Sequence, residues 1–206
     1  MNLPDPLPLF PLQTVLFPGG LLPLKVFEAR YLDLMGHCMR SGEPFGVVCM
    51  SRGAEAGGNP EGVRIERVGV LARIEDVDAE QAGILKVRCV GGSRFRLREA
   101  PAQQAHGLWV APAELIDADA PRLPDPAMQP TVQALQQALE ALLGQDVKPF
   151  AEPLQWRDAG WVANRWCELL PIPLAAKQRL MELEDPTIRL QLVDEFLRSR
   201  QVFGRT

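Results

Sequence analysis

Six prolines fall within the first 23 residues (Pro4, Pro6, Pro8, Pro11, Pro18 and Pro23), set among Leu7, Leu9, Leu12, Val15 and Phe17. Proline fixes φ and removes a backbone donor, so the stretch is predicted to be extended. Its apolar side chains should lie against a core, with edge pairing where a proline permits it. LFPGG, residues 16–20, supplies a turn. From Glu28 to Arg40 there is no proline, and Tyr31, Leu34, Met35 and Cys38 recur at helical spacing. Glu28 suits the positive end of the helix dipole and Arg40 the negative end, and Ser41-Gly42 stops the helix.

Strand patterns follow. Phe45 to Ser51 is a near-continuous apolar run, and Val63 to Val77 alternates Val68, Val70, Ala72 and Ile74 with Gly69, Leu71, Arg73 and Glu75. SRGAEAGGNPEG between them reads as a loop. Ile84 to Val90 pairs with the preceding strand across DAEQAG. Gly91-Gly92 is predicted to turn the chain into Ser93 to Arg98, where Phe95 and Leu97 alternate with Arg94, Arg96 and Arg98. A segment from Leu108 to Ile116 closes the set, and short strands at this spacing suggest a small closed or half-closed barrel. Asp117 to Pro130, with four prolines and three aspartates, reads as a semi-rigid spacer. Beyond it the pattern is helical. Thr131 is placed as a cap ahead of Val132, Leu135, Leu139 and Leu142, and a second helix carries Trp161 and Trp166. A third runs from Leu174 to Glu184. Asp185-Pro186 starts a fourth, with Ile188, Leu192 and Phe196 in register. The fold class is therefore α+β, with a β-rich part over 1–117, a linker over 118–130 and a helical part over 131–206.

Composition changes this picture little. A chain of 206 residues with 47% hydrophobic and 23% charged positions can bury a core. Its net charge of −4 lacks the basic excess that phosphate binding demands, which disfavours nucleic acid as the main partner. The first basic residue is Lys25, and prolines interrupt every early apolar run, so neither a signal peptide nor a membrane span is expected and the protein is read as cytoplasmic. Cys38, Cys49, Cys89 and Cys167 are scattered, without a CxxC pair, as buried free thiols are.

Catalytic chemistry is hard to find. His37 and His106 have no partner at metal-ligand spacing, and HExxH, GxSxG and GxxxxGK[ST] are absent. The four serines have no base near them in sequence. No metal, cofactor or catalytic residue is assigned. Glu182, Glu184 and Asp185 are explained by a helix end and an N-cap.

The run PLPLFPLQTVLFPGGLLPLKVFEARY, followed in order by FGVVCM, VGVLARI, VGGSRFRL and ANRWCELLPIPLAAKQRLMELEDPTIRLQLVDEFL, resembles the N-terminal, substrate-recognition domain of Lon proteases. The likeness implies a PUA-like β-pseudobarrel followed by a C-terminal helical bundle. In full Lon proteases this region precedes ATPase and Ser-Lys peptidase modules, and no motif of either is seen here. It implies a non-catalytic module that binds unfolded or partner protein segments. RNA binding by a PUA-like fold is the alternative, and an unrecognised hydrolase is a third class without a motif to support it.

Two groups of residues are candidates for such binding. Phe17, Pro18, Arg30 and Tyr31 would form a shallow apolar groove rimmed by arginine, or else Phe17 and Tyr31 are core and Arg30 pairs an acid. Arg94 and Arg96 would contact an acidic peptide or phosphate, or else form, with Arg98, a solvated strand face. Trp161 and Trp166, five apart and so about 140° around a helix, are predicted to face differently, one inward and one outward.

Overall fold

Strand β1 (Leu7–Leu12) carries two prolines and is nevertheless interior to a sheet. It pairs in parallel with β3 (Phe45–Arg52) through residues 9–12 and antiparallel with β7 (Trp109–Ala111) through residues 7–9. The two pairings overlap only at Leu9, so Pro8 and Pro11 each have a strand on one side alone and the missing N–H leaves no ladder bond unmade. That is how a proline-rich strand predicted to pair at an edge comes to be covered on both sides.

The computed structural model describes residues 3–52, 63–81 and 83–200. The expected loop over 51–62 lies outside them from residue 53 onward, as does the end of the chain beyond 200. Residue contacts divide the chain into two units, Met1–Ala118 and Asp119–Thr206.

The first unit adds β2 (Leu21–Val26), helix α1 (Ala29–Ser41), β4 (Arg64–Gln81), β5 (Ile84–Leu97), β6 (Ala102–Gln103) and β8 (Ala113–Leu115). The mixed sheet runs β2-β5-β4-β3-β1-β7-β6, with β8 also on β5. Its core includes Leu7, Leu9, Val48, Leu71, Phe95 and Leu97. The Phe95 ring fills space left by Gly46 and Gly69, where an added Cβ would stand 2.7 and 2.6 Å from the ring. Helix α1 buries the predicted Tyr31, Leu34, Met35 and Cys38 and ends on Gly42, whose φ of 72° permits its N–H to reach the Cys38 carbonyl.

Two strand expectations are corrected. Gly91-Gly92 does not turn the chain, because β5 is continuous from Ile84 to Leu97. Gly91 is needed for close backbone approach: its N–H donates to the Gly20 carbonyl, its carbonyl accepts from Gly19, and an added Cβ would lie 2.4 Å from the Phe17 oxygen. The segment from Leu108 to Ile116 is two short strands split at Pro112, β7 pairing with β1 and β8 with β5.

The second unit holds α2 (Gln129–Leu143), α3 (Ala159–Leu169), α4 (Leu174–Glu182) and α5 (Pro186–Ser199). Asp185 caps α5 as expected, its Oδ1 accepting from the Thr187 and Ile188 N–H groups. Thr131 is not a cap. It lies inside α2, fully buried, with its hydroxyl on the Asp194 carboxylate and its carbonyl accepting from Trp166 Nε1 at 3.0 Å. Trp161 and Trp166 are both buried, because α3 is enclosed from Ala159 to Cys167 on every side. The buried face of α5 carries Arg189, Leu190, Val193 and Leu197, one position on from the expected stripe, and leaves Ile188 and Leu192 exposed. Arg189 draws the helix into this setting. Its guanidinium donates to Asp119 at 2.6 Å, to Asn164 Oδ1 at 3.0 Å and to the Leu180 and Leu183 carbonyls. Asp119 and Arg122, within the stretch expected as a spacer, are bonded into this unit, the Arg122 carbonyl accepting from Ala159 N–H at 2.7 Å. No helix among the described residues is long and apolar enough to cross a membrane.

Candidate binding groove

Among the described residues the sheet ends at β2, which pairs with β5 on one side only. Leu22 and Val26 point into the core while Pro23 and Lys25 are exposed, the alternation of a half-buried strand. Beside this strand lies a groove of about 360 Å³, within the ~300–1,000 Å³ range of ligand pockets. One wall is β2 with the Phe27 that follows it. The other is formed by Phe10 and Leu12 of β1, Thr14, and Tyr31 of α1.

Tyr31 sets the floor. Its ring stacks on Phe10 at 4.0 Å between centroids and 17° between planes. On Tyr31 the Arg30 guanidinium lies 4.8 Å from the ring centroid, within cation–π range. Arg30 is held there by the Glu28 carboxylate at 2.7 Å and by donating to the Gly107 carbonyl at 2.8 Å. Burial pushes the Tyr31 phenol up to about 12, with the Arg30 charge opposing and Glu28 reinforcing the rise, so the floor is neutral at ordinary pH. Phe27 stands at the rim with 56% of its surface exposed, an unusual setting for a large aromatic.

The sequence candidates separate. Tyr31 lines the groove, whereas Arg30 lies over its ring without lining the groove and pairs the Glu28 acid, as one of the two readings held. Phe17 is fully buried, and Pro18 is half-buried in the turn; neither lines the groove. Arg94 is corrected: it is 3% exposed and does not share a solvated face. The segment after β8 runs back over it, the Ile116 N–H donating to the Arg94 carbonyl and Arg94 Nη2 donating to the Asp117 carbonyl. Arg96 and Arg98 are exposed, opposite Phe95 and Leu97 as the alternation predicts, and do not line the groove. Leu22, Leu24, Val26 and Phe27 are among the groove residues that the sequence reading passed over. Their signal was the period-two alternation of LLPLKV, obscured by Pro23.

Cys38, Cys89 and Cys167 are free and buried, and burial pushes their thiols up to about 11, 12 and 12. His37 meets Glu43 at 2.8 Å on the surface. No group of three or more His, Cys, Asp or Glu side chains among the described residues could hold a metal ion.

Residues 6–199 match the family described as the ATP-dependent protease La (LON) substrate-binding domain. The chain belongs to the LON substrate-binding domain family. A crystal structure of a Lon N-terminal domain protein from Xanthomonas campestris aligns with a TM-score of 0.71 at 31% identity, covering 91% of this chain and 95% of that one. The N-terminal domain of the Mycobacterium avium complex Lon protease shares the fold at a TM-score of 0.59 and 17% identity, covering 93% of this chain and 97% of that one. Lon protease 2 of Myxococcus xanthus is 27% identical over 98% of this chain, which spans 24% of that protein's length. The matched part is thus the LON substrate-binding domain, and the α+β pseudobarrel-plus-helices architecture agrees with both solved relatives.

Proposed function

We propose that this chain is a non-catalytic module that captures protein segments, with the groove between β2 and the Phe10–Tyr31 stack as the place where they lie. The observation that carries this reading is Phe27, a large aromatic left exposed on the rim of an apolar groove whose floor is a neutral, buried tyrosine. Membership of a substrate-binding family supports a protein ligand. An unfolded segment supplies the apolar side chains that such a groove takes from water, each contributing roughly 1.5–3 kcal/mol when fully covered.

Isothermal titration with reduced, carboxymethylated α-lactalbumin, a permanently unfolded protein, tests the proposal. Binding should be measurable in the micromolar range and should weaken about fivefold or more in Phe27→Ser, a change at an exposed site that leaves stability nearly untouched. Equal affinity of the variant and the parent chain would remove the groove from the account. RNA binding, the alternative drawn from the PUA-like fold and the arginine strand, has less support, since Arg94 is buried and the stripe is broken.

A further inference from the structure

We infer that the groove takes its protein segment as an added β-strand on the open edge of β2, and that it selects apolar residues at alternate positions with a carboxylate between them. This rests on the groove reading above and specifies how the segment is held.

The edge is defined by the ladder. Gly91 N–H donates to the Gly20 carbonyl at 2.8 Å, and the register pairs Leu22 with Cys89, Leu24 with Val87 and Val26 with Leu85. Bonded pairs alternate in an antiparallel ladder, so these three residues of β2 bond to β5 and the peptide groups of Leu21, Pro23 and Lys25 point the other way. Among the described residues no strand pairs with that side. It offers two N–H donors, at Leu21 and Lys25, and three carbonyl acceptors. Pro23 sits where an N–H would face outward, so its missing donor costs the β5 ladder nothing. Open strand edges demand a main-chain partner, and an extended peptide is the ligand whose donors and acceptors repeat at the same spacing.

The side chains then set the sequence. A strand laid beside β2 alternates as β2 does. Every second side chain enters the groove with Leu22, Leu24 and Val26, against Phe10, Leu12 and Tyr31. The intervening ones stand on the face of Pro23 and Lys25, which also border the groove. Lys25 is exposed, and among the described residues no carboxylate lies within ion-pair distance of it; the residue across from it on β5 is Lys86. Lys86 itself faces Asp78 across the ladder on β4, so it is Lys25 that a carboxylate on the incoming strand would pair. Proline and lysine on an edge discourage indiscriminate pairing, and here they turn the edge toward acidic, groove-filling segments.

The test uses an acetylated, amidated heptapeptide alternating valine and glutamate, titrated into the whole chain. Two N-methylated forms accompany it, one methylated at every valine amide and one at every glutamate amide. In a strand the valine amides all point to one side and the glutamate amides to the other. One form should therefore lose binding about tenfold or more, since several backbone hydrogen bonds go together, while the other keeps it. Lys25→Glu should weaken the parent peptide and favour its valine–lysine counterpart. Equal loss in both methylated forms, or none in either, overturns strand addition and leaves the groove reading intact. Binding of unfolded lactalbumin without binding of the parent peptide overturns the alternating apolar–acidic pattern. If neither ligand binds, the groove reading itself has failed.

Discussion

Phe10 and Tyr31 stack nearly parallel at 4.0 Å between ring centroids, joining an interior strand of the sheet to helix α1. The pair both closes the core and floors the groove, so its two consequences can be measured separately. Tyr31→Ala should cost about 3–5 kcal/mol in urea unfolding, as deletion of a buried aromatic does. Tyr31→Phe keeps the stack and should change stability by less than about 1 kcal/mol.

Tyr31 is the sole tyrosine of the chain, so phenolate absorbance reports it alone. Burial raises the phenol from its ordinary 10.0 to about 12, favouring the neutral form. The linked stability is fully present below about pH 10 and is lost as the pH rises toward 12. A spectrophotometric titration of folded protein should show no phenolate until well above pH 10. Onset near pH 10 in protein that is still folded would contradict the buried floor.

Gly91 and Gly92 should differ in how far they tolerate a methyl group. An added Cβ at Gly91 meets the Phe17 carbonyl at 2.4 Å, whereas at Gly92 the nearest atom is the Leu71 carbonyl at 3.5 Å. Gly91→Ala is expected to destabilise by about 1–3 kcal/mol and Gly92→Ala by less than about 0.5 kcal/mol, read from denaturant midpoints.

Arg189 is 1% exposed and its guanidinium is bonded by Asp119, Asn164 and two backbone carbonyls. Arg189→Ala leaves those acceptors buried without their donor and should destabilise the protein by about 3–5 kcal/mol. Thermal unfolding checks this, and a fall in midpoint of only a degree or two would show that the buried cation is dispensable.

How far the sequence disclosed this molecule depends on which forces were local. The faces of α1 and the Asp185 cap were legible because helical spacing and capping are set within a few residues. The continuity of β5 was hidden, since Gly91 answers to the Phe17 carbonyl more than 70 residues earlier in the chain rather than to a turn. Arg94 looked exposed by alternation alone, and only the return of Ile116 and Asp117 over it buries the side chain. The stripe on α5 was placed one residue early because Arg189, a charge that a pattern assigns to solvent, is held inside by Asp119. At the groove, Tyr31 was within reach of the sequence reading, but β2 was not. An open edge is a property of what fails to pair with a strand, and no stretch of residues states that.

The most direct test of the binding account is an amide chemical-shift map of the isotope-labelled chain titrated with reduced, carboxymethylated α-lactalbumin. The predicted result is a contiguous set of saturable shifts over Leu21 to Glu28 and Phe10 to Thr14, with the exposed strand face at Arg96 and Arg98 unmoved. Shifts confined to that arginine face, or to the exposed Ile188 and Leu192 of α5, would contradict it.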